Sequence, residues 1–229
     1  MKKRILIIAA HPDDDILGCG GTLSKMKKNN LIKVLFIGEG TSCRFANFKI
    51  NKKQIKKEIE IRERNAKQAL KSLGIKHYEF TNFPCGRLDT VPIIEINKKI
   101  ENQVSSFRPN IIYTHSENDC NNDHRIVFRS TMMATRPTSK HTVDEIFSFE
   151  ILSSSEWNFT KEFSPNYFEI LNNKNIEAKW KALSFYKSET QKYPLPRSKQ
   201  GIYNLAKVRG SQAGVEFAEA FKLIRSFKK

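Results

Sequence analysis

The sequence predicts an α/β fold, a mostly parallel β-sheet with helices packed on both faces. Two observations carry that expectation. Arg4-Ile5-Leu6-Ile7-Ile8-Ala9-Ala10 and Asn110-Ile111-Ile112-Tyr113-Thr114 are aliphatic without polar alternation, as strands covered on both faces are. Such strands also take turns along the chain with segments of helical period, the pattern of repeated βαβ units. The 229 residues suffice for one full core. No linker, repeat or low-complexity stretch divides them, so residues 1–229 read as a single domain.

Residues 4–10 form the first strand. A helix over 16–29 follows, opening on Gly18-Cys19-Gly20-Gly21, and residues 31–37 are the second strand. Ile55, Ile59, Ala66, Ala69, Leu70 and Leu73 recur at helical spacing, and Gly74 stops that helix. A short strand over 77–80 leads into a Pro/Gly loop at 83–89 and a helix over 92–104. The strand 110–114, a polar loop over 115–123, a helix over 124–134 and a strand over 145–151 come next. The last third is less regular: a strand at 166–171, a helix at 177–186, a break at Tyr193-Pro194-Leu195-Pro196, and another helix. Residues 215–224 fit a strand or a helix.

The formal net charge is +16. Lys and Asn are spread throughout, as in Lys27-Lys28-Asn29-Asn30 and Asn172-Asn173-Lys174-Asn175, which looks like genome composition rather than a designed patch. The positive field would still attract polyanions, diphosphate-bearing substrates or an acidic membrane face. Zinc-finger, recognition-helix and RNP-type signatures are absent, so a specific nucleic-acid partner is not expected. No run approaches the roughly 18–20 apolar residues of a membrane span. Residues 5–10 are too short for a secretory apolar region, and a cytoplasmic location is expected. Cys19, Cys43, Cys85 and Cys120 form no C-x-x-C pair, which argues against a thiolate zinc site and a disulfide framework. Four reduced thiols are expected, with Cys120 inside a site loop and open to oxidation.

His11-Pro12-Asp13-Asp14-Asp15 follows the first strand, at the carboxyl end where open α/β sheets bind ligands. Three adjacent carboxylates repel one another, and burying an uncompensated one costs several kcal/mol or forces it to take up a proton. A divalent cation resolves the conflict, and His beside Asp favours zinc or a similar metal. His11 and Asp14, three apart on one turn, can grip one ion. His124, ending the loop that begins at His115 after strand 110–114, is the best third ligand, with water in the fourth position. Asp13, beside a ligand but free of the metal, is then suited to be general base. Against this, Asp pairs more often cap helices, as Asp15 would for a helix starting at Ile16, and Asp123 suits the first turn of the next helix. Two His/Asp clusters, each directly after an aliphatic strand, favour the metal. The glycine run does not mark a dinucleotide site, because three carboxylates precede it and would repel a pyrophosphate. It permits close packing of the first helix on the sheet.

Ala10-His11-Pro12-Asp13-Asp14 with Leu17-Gly18-Cys19-Gly20-Gly21 resembles the signature of the LmbE-like (PIG-L-type) zinc N-deacetylases. Asp119-Cys120-Asn121-Asn122-Asp123-His124-Arg125 resembles the second metal motif of a branch that reads D-x-N-x-D-H-R. Ser153-Ser154-Ser155-Glu156-Trp157, Tyr186-Lys187-Ser188-Glu189 and Arg209-Gly210-Ser211-Gln212 resemble later blocks of that branch. The resemblance implies a Rossmann-like three-layer sandwich and a hydrolase that removes acetyl from an amino sugar or nucleotide-linked amino sugar in surface-glycan biosynthesis. It also implies His11, Asp14 and His124 as ligands of one Zn2+ per chain, with iron or cobalt as alternatives, and Asp13 as base. Asn121 stands where many relatives carry a His that stabilises the oxyanion; its amide can donate a hydrogen bond but no proton.

Arg44, Arg87 and Asp89, on strand-end loops, are candidates for contacting sugar hydroxyls or phosphate, and His115 for the oxyanion or substrate. Trp157 either stacks on a pyranose ring or fills core, the commoner fate. The expected partner is a small N-acetylated sugar, diphosphate-linked if the positive charge is used, and an oligomer is compatible with the sequence. The rival readings are a metal phosphoesterase at the same crevice and a basic nucleotide- or nucleic-acid-binding module with a relic metal site.

Overall fold

A computed structural model describes residues 2–46, 51–137 and 141–228. Its centre is β1 (Arg4–Ala9), flanked by β2 (Leu31–Gly38) and β4 (Ile111–His115). The seven-stranded sheet has the order β3-β2-β1-β4-β5-β7-β6, with β3 (His77–Phe83), β5 (Glu145–Phe149), β6 (Tyr167–Leu171) and β7 (Phe217–Ser226). The first five in that order are parallel, and β7 runs antiparallel to both β5 and β6.

Successive side chains of a strand point to opposite faces, and β1 divides its apolar residues accordingly. Ile5, Ile7 and Ala9 join the core beneath α1 (Asp14–Met26), α2 (Lys52–Ser72), α5 (Asn173–Leu183) and α6 (Lys199–Gln212). Leu6, Ile8 and Ala10 join the core beneath α3 (Ile93–Phe107) and α4 (Asn122–Ala134). The expected three-layer α/β sandwich is therefore present, and the unbroken aliphatic run is explained by two-sided burial. From β1 the chain builds β2 and β3 to one side and β4 and β5 to the other. The crevice above β1 and β4 is thus the topological switch point where such sheets bind ligands.

The glycines of α1 do what close packing requires. A methyl group at Gly18 would lie 2.5 Å from the Phe149 ring, and one at Gly21 would lie 2.6 Å from Leu171. The helix is interrupted at Cys19 (φ −146°, ψ 21°). There, Glu219 of β7 accepts the Gly21 and Thr22 N–H groups at 3.0 and 2.7 Å, and Lys179 of α5 pairs with the same carboxylate at 2.7 Å. Because Phe149 is fully buried, its ring cannot yield. Gly18→Ala is expected to lower stability by about 1–3 kcal/mol, read as a lower denaturant midpoint at unchanged m-value.

Several boundaries differ from expectation for physical reasons. α5 begins at Asn173 because Asn172 and Asn175 form a reciprocal capping box, so that Asn-rich stretch is structural. Residues 217–226 are strand: the Phe217 and Phe221 side chains fill the core, and Glu219 is satisfied by the α1 backbone and Lys179. Asp15 does not cap α1, which starts at Asp14 and has no side-chain cap hydrogen bond. Its carboxyl is buried, and burial together with the Asp13 and Asp14 charges pushes its pKa up to about 8. Among the described residues, no helix is long and apolar enough to cross a membrane.

Candidate active site

The turn after β1 is closed by its own polar groups. Asp14 Oδ2 accepts the His11 N–H at 2.8 Å, and the Asp14 N–H donates to the His11 carbonyl at 3.2 Å. Asp13 occupies the bend with φ 125° and ψ −26°, a conformation that costs a non-glycine residue on the order of 1–3 kcal/mol. Such strain persists where the surroundings over-determine it. Here they do: Asp13 Oδ2 lies 3.0 Å from Arg62 and 3.1 Å from Arg197.

The second segment arrives from β4. Asn121 caps α4, its Oδ1 accepting the Asp123 N–H at 2.9 Å, which places His124 on the first turn of that helix. His11 and His124 meet above the sheet with ring centroids 5.5 Å apart. Asp14 Oδ2 is 3.4 Å from His11 Nδ1 and 3.4 Å from His124 Nε2. Tetrahedral zinc ligands about 2.0–2.1 Å from the ion sit roughly 3.3–3.4 Å from one another, so this spacing suits one cation. His11, Asp14 and His124 are all buried and form a group able to hold a metal ion.

The far side of each imidazole is held by a carboxylate, as is usual for metal-binding histidines. His11 Nε2 donates to Asp123 Oδ2 at 2.9 Å, and His124 Nδ1 lies 3.1 Å from Asp119 Oδ1. Both carboxylates are themselves anchored. Asp123 accepts the Gly86 and Leu88 N–H groups at 2.6 and 3.1 Å. Asp119 accepts from Ser154, from Ser155 at 2.7 Å and from the Asn121 N–H at 2.8 Å. The fit to a divalent cation thus extends to the groups that orient its ligands.

Electrostatics points the same way. Burial opposes protonation of His11, but Asp123 and Asp14 outweigh it and raise its pKa to about 10. His124 is raised to about 9, burial again being outweighed by Asp14 and Asp119. Burial also opposes ionisation of Asp14, yet the neighbouring imidazoles, His124 first, hold its carboxyl well below the usual range. Without a cation, the site compensates its carboxylates with protons. Zinc loading at pH 7 is therefore expected to release about two protons per chain, declining to none as pH rises past 10. Calorimetry in buffers of different ionisation enthalpy measures that count.

The remaining expected site residues divide. Arg44 is exposed beside the crevice and pairs with Glu189 at 2.5 Å. Arg87 is half-buried and Asp89 exposed on the loop after β3. His115 does not line the crevice: it is fully buried, stacks on His124 at 4.0 Å between centroids, and accepts the Ala10 N–H through Nε2 at 2.8 Å. Burial, then the His124 charge, lowers its pKa to about 3, so it is a neutral support beneath His124. Trp157 is 48% exposed rather than core.

Sequence reasoning missed a second layer built from distant segments. Arg62 of α2 and Arg197, which precedes α6, both contact Asp13, and Glu189 pairs with Arg62, Arg44 and Arg197. Burial would raise the Glu189 pKa, but Arg62 outweighs it and brings it to about 2. One signal was available. Arg62 sits on the same helical face as Ile55, Ile59, Ala66 and Ala69, and a charge on an apolar stripe must find a partner. Glu189 stood in a segment that resembles a later family block, with no role attached to it, and Arg197 carried no comparable mark.

The family model described as "PIG-L: GlcNAc-PI de-N-acetylase" matches residues 6–135, more than half of the chain. The chain is 29% identical over 195 residues to the uncharacterized deacetylase YaiS of Escherichia coli K12, covering 82% of this chain and 92% of that one. Its fold is shared with the conserved protein TT1542 of Thermus thermophilus (TM-score 0.76, 22% identity, 99% and 97% of the two chains). It is shared equally with the N,N'-diacetylchitobiose deacetylase of Pyrococcus horikoshii (TM-score 0.77, 18% identity, 97% and 84%). The matched span contains both segments that meet over Asp14, and the chain belongs to the PIG-L family.

Proposed function

We propose that this protein is a zinc-dependent N-deacetylase that hydrolyses the acetamide of an amino sugar or nucleotide-linked amino sugar, in the cytoplasm, for surface-glycan biosynthesis. The observation that carries the reading is the division of labour between adjacent aspartates. Asp14 Oδ2 faces both imidazoles at 3.4 Å, while Asp13 turns to two guanidinium groups. Membership in a de-N-acetylase family and a shared fold with a diacetylchitobiose deacetylase support it.

His11, Asp14 and His124 hold the ion. Bound zinc supplies Lewis acidity towards the acetyl carbonyl and a lowered pKa for water. Asp13 takes the proton from the attacking water and returns it to the departing amine. Burial pushes the Asp13 carboxyl above its ordinary range, with Arg62 and Arg197 opposing that shift, the direction that suits a group required to accept a proton. Asn121, with Oδ1 committed to the α4 backbone, donates from its amide nitrogen to the oxyanion. Arg44 and Arg87 contact hydroxyls or a diphosphate at the crevice mouth, and Asp89 accepts from sugar hydroxyls.

The test is acetate release by zinc-loaded protein against a panel of N-acetylated nucleotide sugars and small glycosides. Release that disappears on chelation and returns with zinc is the expected result. Phosphate release from phosphoesters, with no acetate from any amide, would replace this reading with the phosphoesterase.

A further inference from the structure

We propose that Cys43 and Cys85 form a reversible disulfide, a modification site in the crevice wall. Cys43 lies in the 3-10 turn Ser42–Arg44 after β2, and Cys85 in the loop after β3. Although 42 residues apart, their sulfurs are 3.2 Å from one another, with both thiols free. A disulfide of about 2.05 Å needs only a small further approach. The two loops are already fastened together. Glu39 accepts the Thr41 N–H at 2.6 Å, the Ser42 N–H at 3.0 Å and the Cys85 N–H at 2.9 Å. Gly86 has φ +69°, and a Cβ there would come within 2.8 Å of Cys43 Cβ. Only glycine permits this approach.

The two sulfurs differ in the way a sensing pair requires. Cys43 is exposed and meets solvent oxidant, whereas Cys85 is 5% exposed and shielded behind it. The hydrogen bond from Cys85 holds the Cys43 thiol below the ordinary range, near 6, and the thiolate is the form that oxidants attack. With hydrogen peroxide as oxidant, the Cys43 thiolate attacks the O–O bond, giving a sulfenic acid and hydroxide. The Cys85 thiol then attacks that sulfur, forming S–S; its proton leaves with the displaced hydroxyl as one water, and the proton that Cys43 released on ionising neutralises the hydroxide to the second. Two thiols and one peroxide become one disulfide and two waters.

The link would act on the crevice through both neighbours. Cys43 precedes Arg44, which pairs with Glu189, and Cys85 precedes Gly86, whose N–H holds Asp123 against His11. Displacing such groups by about 1 Å can cost on the order of 10²-fold in rate.

The full zinc-loaded chain is treated with hydrogen peroxide, alkylated, digested without reductant and mapped by mass spectrometry. Expected are a Cys43–Cys85 linked peptide, a fall from four free thiols to about two, and full recovery with dithiothreitol. Cys43→Ser should form no link and keep basal turnover under peroxide. Acetate release by the linked form should fall at least roughly tenfold. Cys43 passing to sulfinic acid with Cys85 untouched, or links through Cys120, would overturn the site. A complete link with undiminished turnover would overturn its coupling to the crevice. The mapping needs no substrate, so its failure is distinct from failure of the deacetylase reading.

Discussion

Asp13→Asn is expected to lower turnover by about 10²–10⁴-fold with zinc still bound. The substitution keeps the size of the side chain and removes its capacity to take a proton from water. The bend at residue 13 tolerates it, because Asn is among the residues least penalised at positive φ. Arg62, nearly fully buried, keeps Glu189 as a partner. It still loses Asp13 at 3.0 Å, so a drop in stability of about 1–3 kcal/mol accompanies the kinetic loss. Parallel measurement of acetate release and zinc content separates the outcomes. If zinc departs together with turnover, Asp13 is a ligand and the base must be sought elsewhere.

His124→Ala should have the complementary signature: the metal is lost, and turnover goes with it. Removing the imidazole leaves Asp14 and His11 as the only two members of the group, too few for the three protein ligands of a catalytic zinc site. It also leaves Asp119 buried without the ring it orients, 3.1 Å away. Zinc affinity is expected to fall well over 10²-fold, since even the loss of an orienting carboxylate costs about 10–100-fold. Asp119→Asn supplies that smaller step within the same protein. Competition against a chelator of known affinity ranks the three proteins. Equal affinity for His124→Ala and the parent would place the ion elsewhere.

The elements that bring His11, Asp14 and His124 together were readable because their physics is local. An aliphatic strand ending in ionisable residues has few buried arrangements available, and β1 with His11 and Asp14 uses one of them. The same holds for β4 and the loop that delivers His124. The convergence of the charged lining behind Asp13 was not readable: the apolar stripe marked Arg62 as needing a partner, but Arg62, Glu189 and Arg197 meet only through the packing of three separate segments. Asn121 shows a different limit. Its position marked it for chemistry, and the structure gives its carbonyl oxygen to a helix start, a role that any Asn before an apolar helical run also fits. His115 was misplaced because a strand's final residue can point into the crevice or beneath it, and the pleat decides which. Residues 215–224 were ambiguous since Phe217, Ala218, Ala220 and Phe221 satisfy either period.

β7 has a consequence for biosynthesis. The ribosome makes β5 and β6 before β7, yet the two are neighbours only across it. Until residues 217–226 emerge, β6 lacks its one neighbouring strand among the described residues and β5 offers a bare edge, both hazards for intermolecular pairing. The interrupted first helix meanwhile waits for Glu219. Translation stalled between residues 171 and 217 should therefore yield nascent chains that lean on chaperones, although His11, Asp14 and His124 have already been synthesised.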